Sequence, residues 1–352
     1  MRILFLNGDG ISDEIVSATH RVLEASSLSL DITFEDVGFR ALDHDGITIS
    51  DETIERARQA DGIVLGPVSH MDYPPTAEGG LNPSGVLRKK LDLYANIRPA
   101  KTYDAVPRPV ASSFDLIVAR ENTEGFYADR TMHVGTGEIM PTEDLALAIR
   151  KVTRKGSSRI ARAAFELAAR DGRKVTCVHK GNVLRVSDGL FLEEVRKVRS
   201  EFSTLEFDEI LVDAAAAHMV RHPDRFGVIV TTNMFGDILS DLASELSGGL
   251  GLAGSLNQGD NHAMAQAQHG SAPDIAGQDC ANPTSLILSA AMLLDWLSAR
   301  YSKPELAQAG TRIKNAVTQC LSSEATRTSD LGGALGTKDY TEVVIRTLRE
   351  AN

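Results

Sequence analysis

Short apolar runs, each closed by a turn signal and followed by a stretch of helical spacing, recur along this chain. That alternation constrains its fold more than any other feature. Residues 3–6 (ILFL) run into the turn NGDG, and Ser12-Asp13-Glu14 then begins a helix to about Ser26. Ile32–Val37 alternates like a strand, residues 51–60 are spaced like a helix, and Gly62–Leu65 is a buried strand closed by Gly66-Pro67. Residues 69–85 read as a loop, with a basic helix from about Val86 and then ANIRPAK. Leu116–Arg120 is a strand, which residues 121–141 connect to a long helix from Thr142 to about Ala169. Val175–His179, Glu209–Val212 and Val228–Thr232 are further strands, and 247–261 and 269–283 are loops rich in small and polar residues. Ser285–Leu297 reads as a buried core helix, and helices dominate the C-terminal third. Strands alternating with helices predict an α/β fold with a largely parallel sheet.

The 352 residues suffice for one large or two medium domains, and 42% hydrophobic with 24% charged residues is ordinary for a globular protein. A net charge of −11 argues against a nucleic-acid partner or an anionic membrane surface, so an anionic substrate needs a local cluster of arginines or a metal. Three cysteines, Cys177, Cys280 and Cys320, are far apart and form no CxxC. They predict neither a disulfide framework nor a structural zinc site, and they suit a reducing compartment. MRILFLNGDG has too short an apolar run for a signal peptide, and no stretch of about 18 apolar residues predicts a membrane span.

The segment TTNMFGDILSDLASE, 231–245, carries the strongest chemical signal. Asp237 and Asp241 stand four apart and share one helical face. Two such carboxylates suit a hard divalent cation such as Mg2+ or Mn2+, although acidic residues also simply favour the first turns of a solvated helix. Arg88, Arg98 and Arg120 stand near strand ends, and arginine binds carboxylates through two parallel hydrogen bonds. Together they suit a small di- or tricarboxylate; singly, each reads as an ordinary surface cation. Tyr127 lies in a polar loop as a candidate general acid or a packing residue. Lys180 follows the buried strand VTCVH, where α/β folds place their sites, and a nearby metal would lower its pKa enough for it to act as a base. Asp213 ends the apolar run EILVD. His218 and His222 are four apart but lack the HExxH glutamate and a third ligand, so they read as structural. The loop HGSAPDIAGQDCANP, 269–283, lets backbone approach a ligand closely, and Asp274 is placed to accept hydrogen bonds from a ribose diol and repel a 2′-phosphate. Gly8-Asp9-Gly10 is only a partial GxGxxG, because Asp13 occupies the third glycine position.

Taken together, NGDGISDEI, LRKKLDLYANIRPAK, ARENTEGFY, VHKGNVLRVSDG, LVDAAAAH, TTNMFGDILSDLASE and HGSAPDIAGQDCANPT resemble, in order, the motifs of the β-decarboxylating dehydrogenases, the isocitrate and 3-isopropylmalate dehydrogenase family. They run from residue 7 to 284. The resemblance implies a two-domain α/β fold of the isocitrate/isopropylmalate dehydrogenase type, distinct from the Rossmann dinucleotide fold. One domain would comprise 1–100 and 251–352 and hold the cofactor. The other, 101–250, would supply the interface of a cytoplasmic homodimer with a shared active site. Arg88, Arg98 and Arg120 would clamp the malate moiety of a small anionic hydroxy acid. Tyr127 from one subunit and Lys180 from the other would be catalytic, with Asp213, Asp237 and Asp241 around Mg2+ or Mn2+. Asn182 would lie near the nicotinamide, and the run His269, Gly270, Ser271, Ala272, Pro273, Asp274 and Ile275, with Asn282, would bind the adenosine half. Asp274 stands where NADP-dependent members carry a basic residue, which implies NAD. The implied reaction is oxidative decarboxylation of a 3-substituted (2R)-malate of the isopropylmalate or isocitrate class to a 2-oxo acid, CO2 and NADH.

The chain departs from the family at several places. Asn7 and Ser12-Asp13 stand where Pro and Gly-Pro are usual, and Gln266 stands where glutamate is common. Before Arg88, isopropylmalate enzymes carry two leucines and a glutamate, whereas this chain has Leu81-Asn82-Pro83-Ser84-Gly85. The apolar pocket for an alkyl group is therefore missing, and Asn82 or Ser84 is placed to hydrogen-bond a third carboxylate. D-malate and tartrate dehydrogenases of the same family, and a non-catalytic paralogue such as a regulatory subunit, are the alternative readings.

Overall fold

The computed structural model describes residues 1–110, 112–127, 132, 135 and 137–350. Strand β1 (Arg2–Asn7) leads into helix α1 (Ser12–Ala25), followed by β2 (Asp31–Asp36), α2 (Phe39–Asp45), α3 (Asp51–Gln59) and β3 (Gly62–Leu65). After the loop come α4 (Pro83–Lys90), β4 (Ala95–Lys101) and β5 (Asp115–Glu121). A two-stranded ribbon, β6 (Glu138–Thr142) and β7 (Leu145–Ala148), precedes α5 (Arg154–Asp171), β8 (Val175–His179), α6 (Ser187–Glu201), β9 (Phe207–Leu211), α7 (Val212–Arg221) and β10 (Val228–Thr231). The rest is α8 (Asn233–Ser247), β11 (Leu256–Gln258), β12 (Ala263–Gln266), α9 (Thr284–Tyr301), α10 (Pro304–Leu321) and α11 (Thr337–Glu350).

Ten strands form one sheet in the order β2-β1-β3-β12-β11-β4-β5-β10-β8-β9. The two wings are parallel, but the centre is not: β11 runs antiparallel to both β12 and β4, and β4 antiparallel to β5. Leu256–Gln258 is too short to announce itself, and it pairs because its neighbours leave two edges to be satisfied. The apolar clusters divide along the same line. Two gather around β1, β3, α1 and the C-terminal helices; the other two draw on residues between Ala95 and Leu246. Helix α9 buries Leu286, Ile287, Leu293, Leu294 and Leu297 at 2% exposure or less, each contributing roughly 1.5–3 kcal/mol.

The long helix expected from Thr142 does not start there. Glu138–Thr142 and Leu145–Ala148 pair as an antiparallel ribbon, exposed along its whole length, and α5 begins at Arg154 behind an N-cap in which the Thr153 hydroxyl accepts the Gly156 N–H at 3.0 Å. Leu145–Ala148, expected within that helix, lies in the ribbon instead. Part of the expected 121–141 connection lies outside the described residues. Helix α4 starts three residues before the expected Val86, because Asn82 caps it and Pro83 suits its first position. Asp213 is not the end of a strand: β9 stops at Leu211 and Asp213 lies in the first turn of α7.

Candidate active site

Adjacent antiparallel strands bring two arginines together. Arg98 on β4 faces Val118 of β5, and Arg120 of β5 faces Asn96, so both guanidinium groups leave the same face as diagonal neighbours. They are 8% and 2% exposed. Buried cations require partners, and α8 supplies them. The Arg120 guanidinium bonds Asp237, and its Nη2 and Nε donate to Asn233 Oδ1 at 2.7 and 3.1 Å. Arg98 Nη1 donates to Asp237 and Asp241, each at 3.2 Å, and to the Ser240 hydroxyl at 2.8 Å. The i, i+4 spacing of the aspartates is what lets one guanidinium touch both. Gly236 makes the crossing feasible, because a Cβ there would fall 2.6 Å from Arg120 Cγ.

The electrostatics follow from this packing. Burial works against the Asp237 charge, yet Arg120, Arg98 and the hydrogen bond from Tyr127 hold its carboxyl below the usual range. Burial, with Arg120 alongside, pulls Arg98 down to about 10, against the pull of Asp237 and Asp241. The Tyr127 hydroxyl donates to Asp237 Oδ2 at 3.1 Å, and the Arg120 guanidinium carbon lies 5.6 Å from its ring centre.

Arg98, Arg120, Tyr127 and Asp237 line a cleft of about 260 Å³, with Asn82, Ser84, Arg88, Gln266 and His269 on its other walls. Arg88 donates to Asn122 Oδ1 at 3.2 Å and to Gln266 Oε1 at 3.3 Å. The Asn82 side-chain oxygen caps α4 through Gly85 N–H at 3.2 Å, and the Ser84 hydroxyl donates to Gln266 at 2.8 Å. Gln268 donates to Asp241 Oδ1 at 2.8 Å.

Lys180, Asn182 and Asp213 form no part of this cleft. Lys180, just past β8, pairs with Asp213 at 2.6 Å, where the lysine side chain is 27% and the carboxylate 64% exposed. That hydrogen bond holds the Asp213 carboxyl below its ordinary range. Asn182 is exposed beside them. The fully buried Asp188 accepts the Lys180 backbone N–H at 2.6 Å and pairs with Arg150, whose Nη2 donates to the Thr232 hydroxyl at 3.0 Å. Asp237 and Asp241 are therefore apart from Asp213, and among the described residues no group of three His, Cys, Asp or Glu is placed to hold a metal ion.

The loop 269–283 lies against the strand ends. Ser271 carbonyl accepts the Ile11 N–H at 2.9 Å, and the Ser69 and Ser271 hydroxyls meet at 2.7 Å. Gly10 adopts a positive φ of 58° here, and a Cβ on it would strike Ser271. Ala272 is held at φ 38°, and Pro273–Ile275 forms a short 3-10 turn that leaves Asp274 exposed. Asn282 bonds Asp330 at 3.0 Å and caps Thr284 N–H at 3.0 Å. His269 Nδ1 lies 3.0 Å from the Gly270 carbonyl, while its Nε2 is buried with no partner among the described residues. Burial lowers the His269 pKa, so the ring is neutral and open to a polar ligand.

The sequence profile of the family described as "Isocitrate/isopropylmalate dehydrogenase" matches residues 2–344. The isocitrate/homoisocitrate dehydrogenase of Thermus thermophilus is 41% identical over 354 residues, covering 99% of this chain and 98% of that protein. The 3-isopropylmalate dehydrogenase of Archaeoglobus fulgidus is 39% identical, covering 99% of both. The crystal structure of isocitrate dehydrogenase from Methylococcus capsulatus superposes with a TM-score of 0.88 at 38% identity, covering 99% of each chain. A whole-length profile match, relatives near 40% identity and the same α/β architecture leave one conclusion: the chain belongs to the isocitrate/isopropylmalate dehydrogenase family, and is an oxidoreductase of hydroxy acids.

Proposed function

We propose that the protein catalyses NAD- and divalent-metal-dependent oxidative decarboxylation of a 3-substituted (2R)-malate, as a homodimer with a shared active site. The observation that carries this reading is the meeting of Arg98 and Arg120 with Asp237 and Asp241 at one cleft. Cations fix the carboxylates of a substrate there, and the two aspartates are oxygen donors of the kind Mg2+ or Mn2+ prefers. Asp213 of a second copy is the third donor in this reading. A bound cation would supply Lewis acidity to the C2 hydroxyl and its neighbouring carboxylate. NAD, held at His269 to Ile275 and by Asn182 and Asn282, would accept the hydride from C2. The buried, unpartnered His269 Nε2 fits that role, and exposed Asp274 favours a free ribose diol over a 2′-phosphate.

The chain's own groups then account for the protons. Lys180 takes the hydroxyl proton as C2 is oxidised. The carboxylate on C3 leaves as CO2, and its electron pair stays on the substrate. Tyr127 returns a proton to C3, so the product is the 2-oxo acid. Arg88, Arg98 and Arg120 hold the acid through all three steps.

Two features support the shared site. Lys180 and Asp213 lie outside the cleft that needs them. Large apolar side chains are also exposed where a second copy would sit: Ile139, Met140 and Leu147 on the ribbon, Val220 on α7 and Ile238 on α8, beside Asp237. No helix is long and apolar enough to cross a membrane among the described residues; free Cys177, Cys280 and Cys320 suit a reducing compartment such as the cytoplasm.

The test is NADH formation with Mn2+ against D-malate, D- and meso-tartrate, 3-isopropylmalate, isocitrate and homoisocitrate. One substrate well ahead by kcat/KM is expected. Silence on all, with NAD still bound, would contradict the reading.

A further inference from the structure

Lys180 is held by its backbone more than by its side chain. Its ammonium group pairs with Asp213, whose carboxylate is mostly exposed, and an exposed ion pair fixes a long side chain weakly. The main chain around Lys180 is pinned instead. The Lys180 carbonyl accepts the Val183 and Leu184 N–H groups at 3.0 and 2.9 Å, and the Gly181 N–H donates to His179 Nδ1 at 3.0 Å. The Lys180 N–H itself donates to Asp188 Oδ2 at 2.6 Å. Asp188, in the first turn of α6, is fully buried, and its charge requires a partner, which Arg150 supplies. That guanidinium is set in turn by the Ser187 and Thr232 hydroxyls at 2.8 and 3.0 Å, and it lies 5.4 Å from the Phe235 ring centre. The pair therefore ties the turn after β8 to the residue that follows β10, the strand alongside. A buried ion pair adds little net stability; this one fixes the point from which Lys180 leaves the sheet.

We propose that Asp188 is a positioning residue for the reaction, whose carboxylate, held by Arg150, sets the backbone of Lys180 so that the ammonium group reaches the site it serves. The inference rests on the reading in which Lys180 of one subunit completes the cleft of the other. Asp188 gives each donor an oxygen of its own, Oδ1 to Arg150 and Oδ2 to the Lys180 N–H. An asparagine of the same size has one oxygen for the two. Charge assistance assigns that oxygen to Arg150, the amide NH2 then faces the Lys180 N–H donor to donor, and the turn shifts. Misplacing a reacting group by about 1 Å costs roughly 100-fold in rate, while the arginines of the cleft still grip the substrate. Asp188→Asn should therefore lower kcat by about 10- to 100-fold and leave KM near its wild-type value.

The experiment asks which subunit needs Asp188. The reference is a subunit-exchanged mixture of Tyr127→Phe and Lys180→Met, assayed with NAD, Mn2+ and whichever of isocitrate, homoisocitrate and 3-isopropylmalate turns over fastest. Its active site combines Lys180 of the first variant with Tyr127 of the second. Asp188→Asn added to the Tyr127→Phe chain, which supplies the working lysine, should lower the recovered kcat by about 10- to 100-fold. Added to the Lys180→Met chain, it should leave the recovery at the reference level. Equal losses in both placements would make Asp188 a general structural support and overturn the inference, as would no loss in either. Loss only in the Lys180→Met chain would overturn it too, because Asp188 would then serve the cleft of its own subunit. A reference mixture that stays inactive with hybrids present overturns the shared-site reading, and the inference with it. Should Asp188→Asn fail to fold, Asp188→Glu, which keeps both oxygens but moves them by one methylene, takes its place under the same placement rule.

Discussion

Asp237 is the most contested residue of the site, facing Arg98, Arg120 and Tyr127 at once. Its partners were visible as residue types before their geometry was known, because arginines beside strand ends and paired aspartates are unusual enough to notice. Asn233, Ser240 and Gln268 were not. Each acts by holding a charged neighbour, and a polar side chain that serves another side chain leaves no spacing signal. Tyr127→Phe and Lys180→Met should keep the fold, with unchanged thermal midpoints, and each lower turnover by about 10²–10⁴-fold, the usual contribution of general acid–base groups. Steady-state rates beside melting curves check this, and near-normal turnover in either variant would remove that residue from the mechanism. Asp274→Lys should weaken NAD binding, measured as a smaller ligand-induced thermal shift. An unchanged shift would place the ribose elsewhere.

At the scale of elements, the strand–helix alternation was legible wherever a buried strand ended in a turn signal, as at Gly62–Leu65 and Val175–His179. It failed where an element owes its form to its neighbours. The ribbon of β6 and β7 has apolar residues but no core to pack on, and β11 exists only because β12 and β4 flank it. Residues 247–261, which hold β11, were therefore read as loop, and the antiparallel pairing at the centre of the sheet was not foreseen. Helix α8 owes its place over β5 to Gly236. A methyl group there must displace Arg120, so Gly236→Ala should cost about 1–3 kcal/mol, as overpacking typically does, and raise KM as Arg120 shifts. Denaturant unfolding and kinetics on the same variant check both; an unchanged KM would show that Arg120 has another path across the helix. The N-cap of α5 is a simpler case: Thr153→Ala should cost about 1 kcal/mol without altering KM.

At the scale of the whole molecule, one chain holds the arginines, Tyr127 and two aspartates in one place, and Lys180 with Asp213 in another. Sequence order alone does not say that the two groups lie apart, and the expectation of a shared site came only through the resemblance to the family. The exposed apolar ribbon belongs to the same account. Leu147→Asp with Ile139→Asp should shift the protein toward monomer in sedimentation and lower activity in parallel, whereas full activity in a monomer would separate catalysis from assembly. The most direct test mixes the two inactive variants, Tyr127→Phe and Lys180→Met, under conditions that exchange subunits. With a shared site, half of the dimers are hybrids, and each hybrid has one site holding both an intact Tyr127 and an intact Lys180. The mixture should recover about a quarter of wild-type activity, as random pairing of a two-fold dimer requires. A mixture as inactive as its parents, with hybrids present, would contradict the shared site.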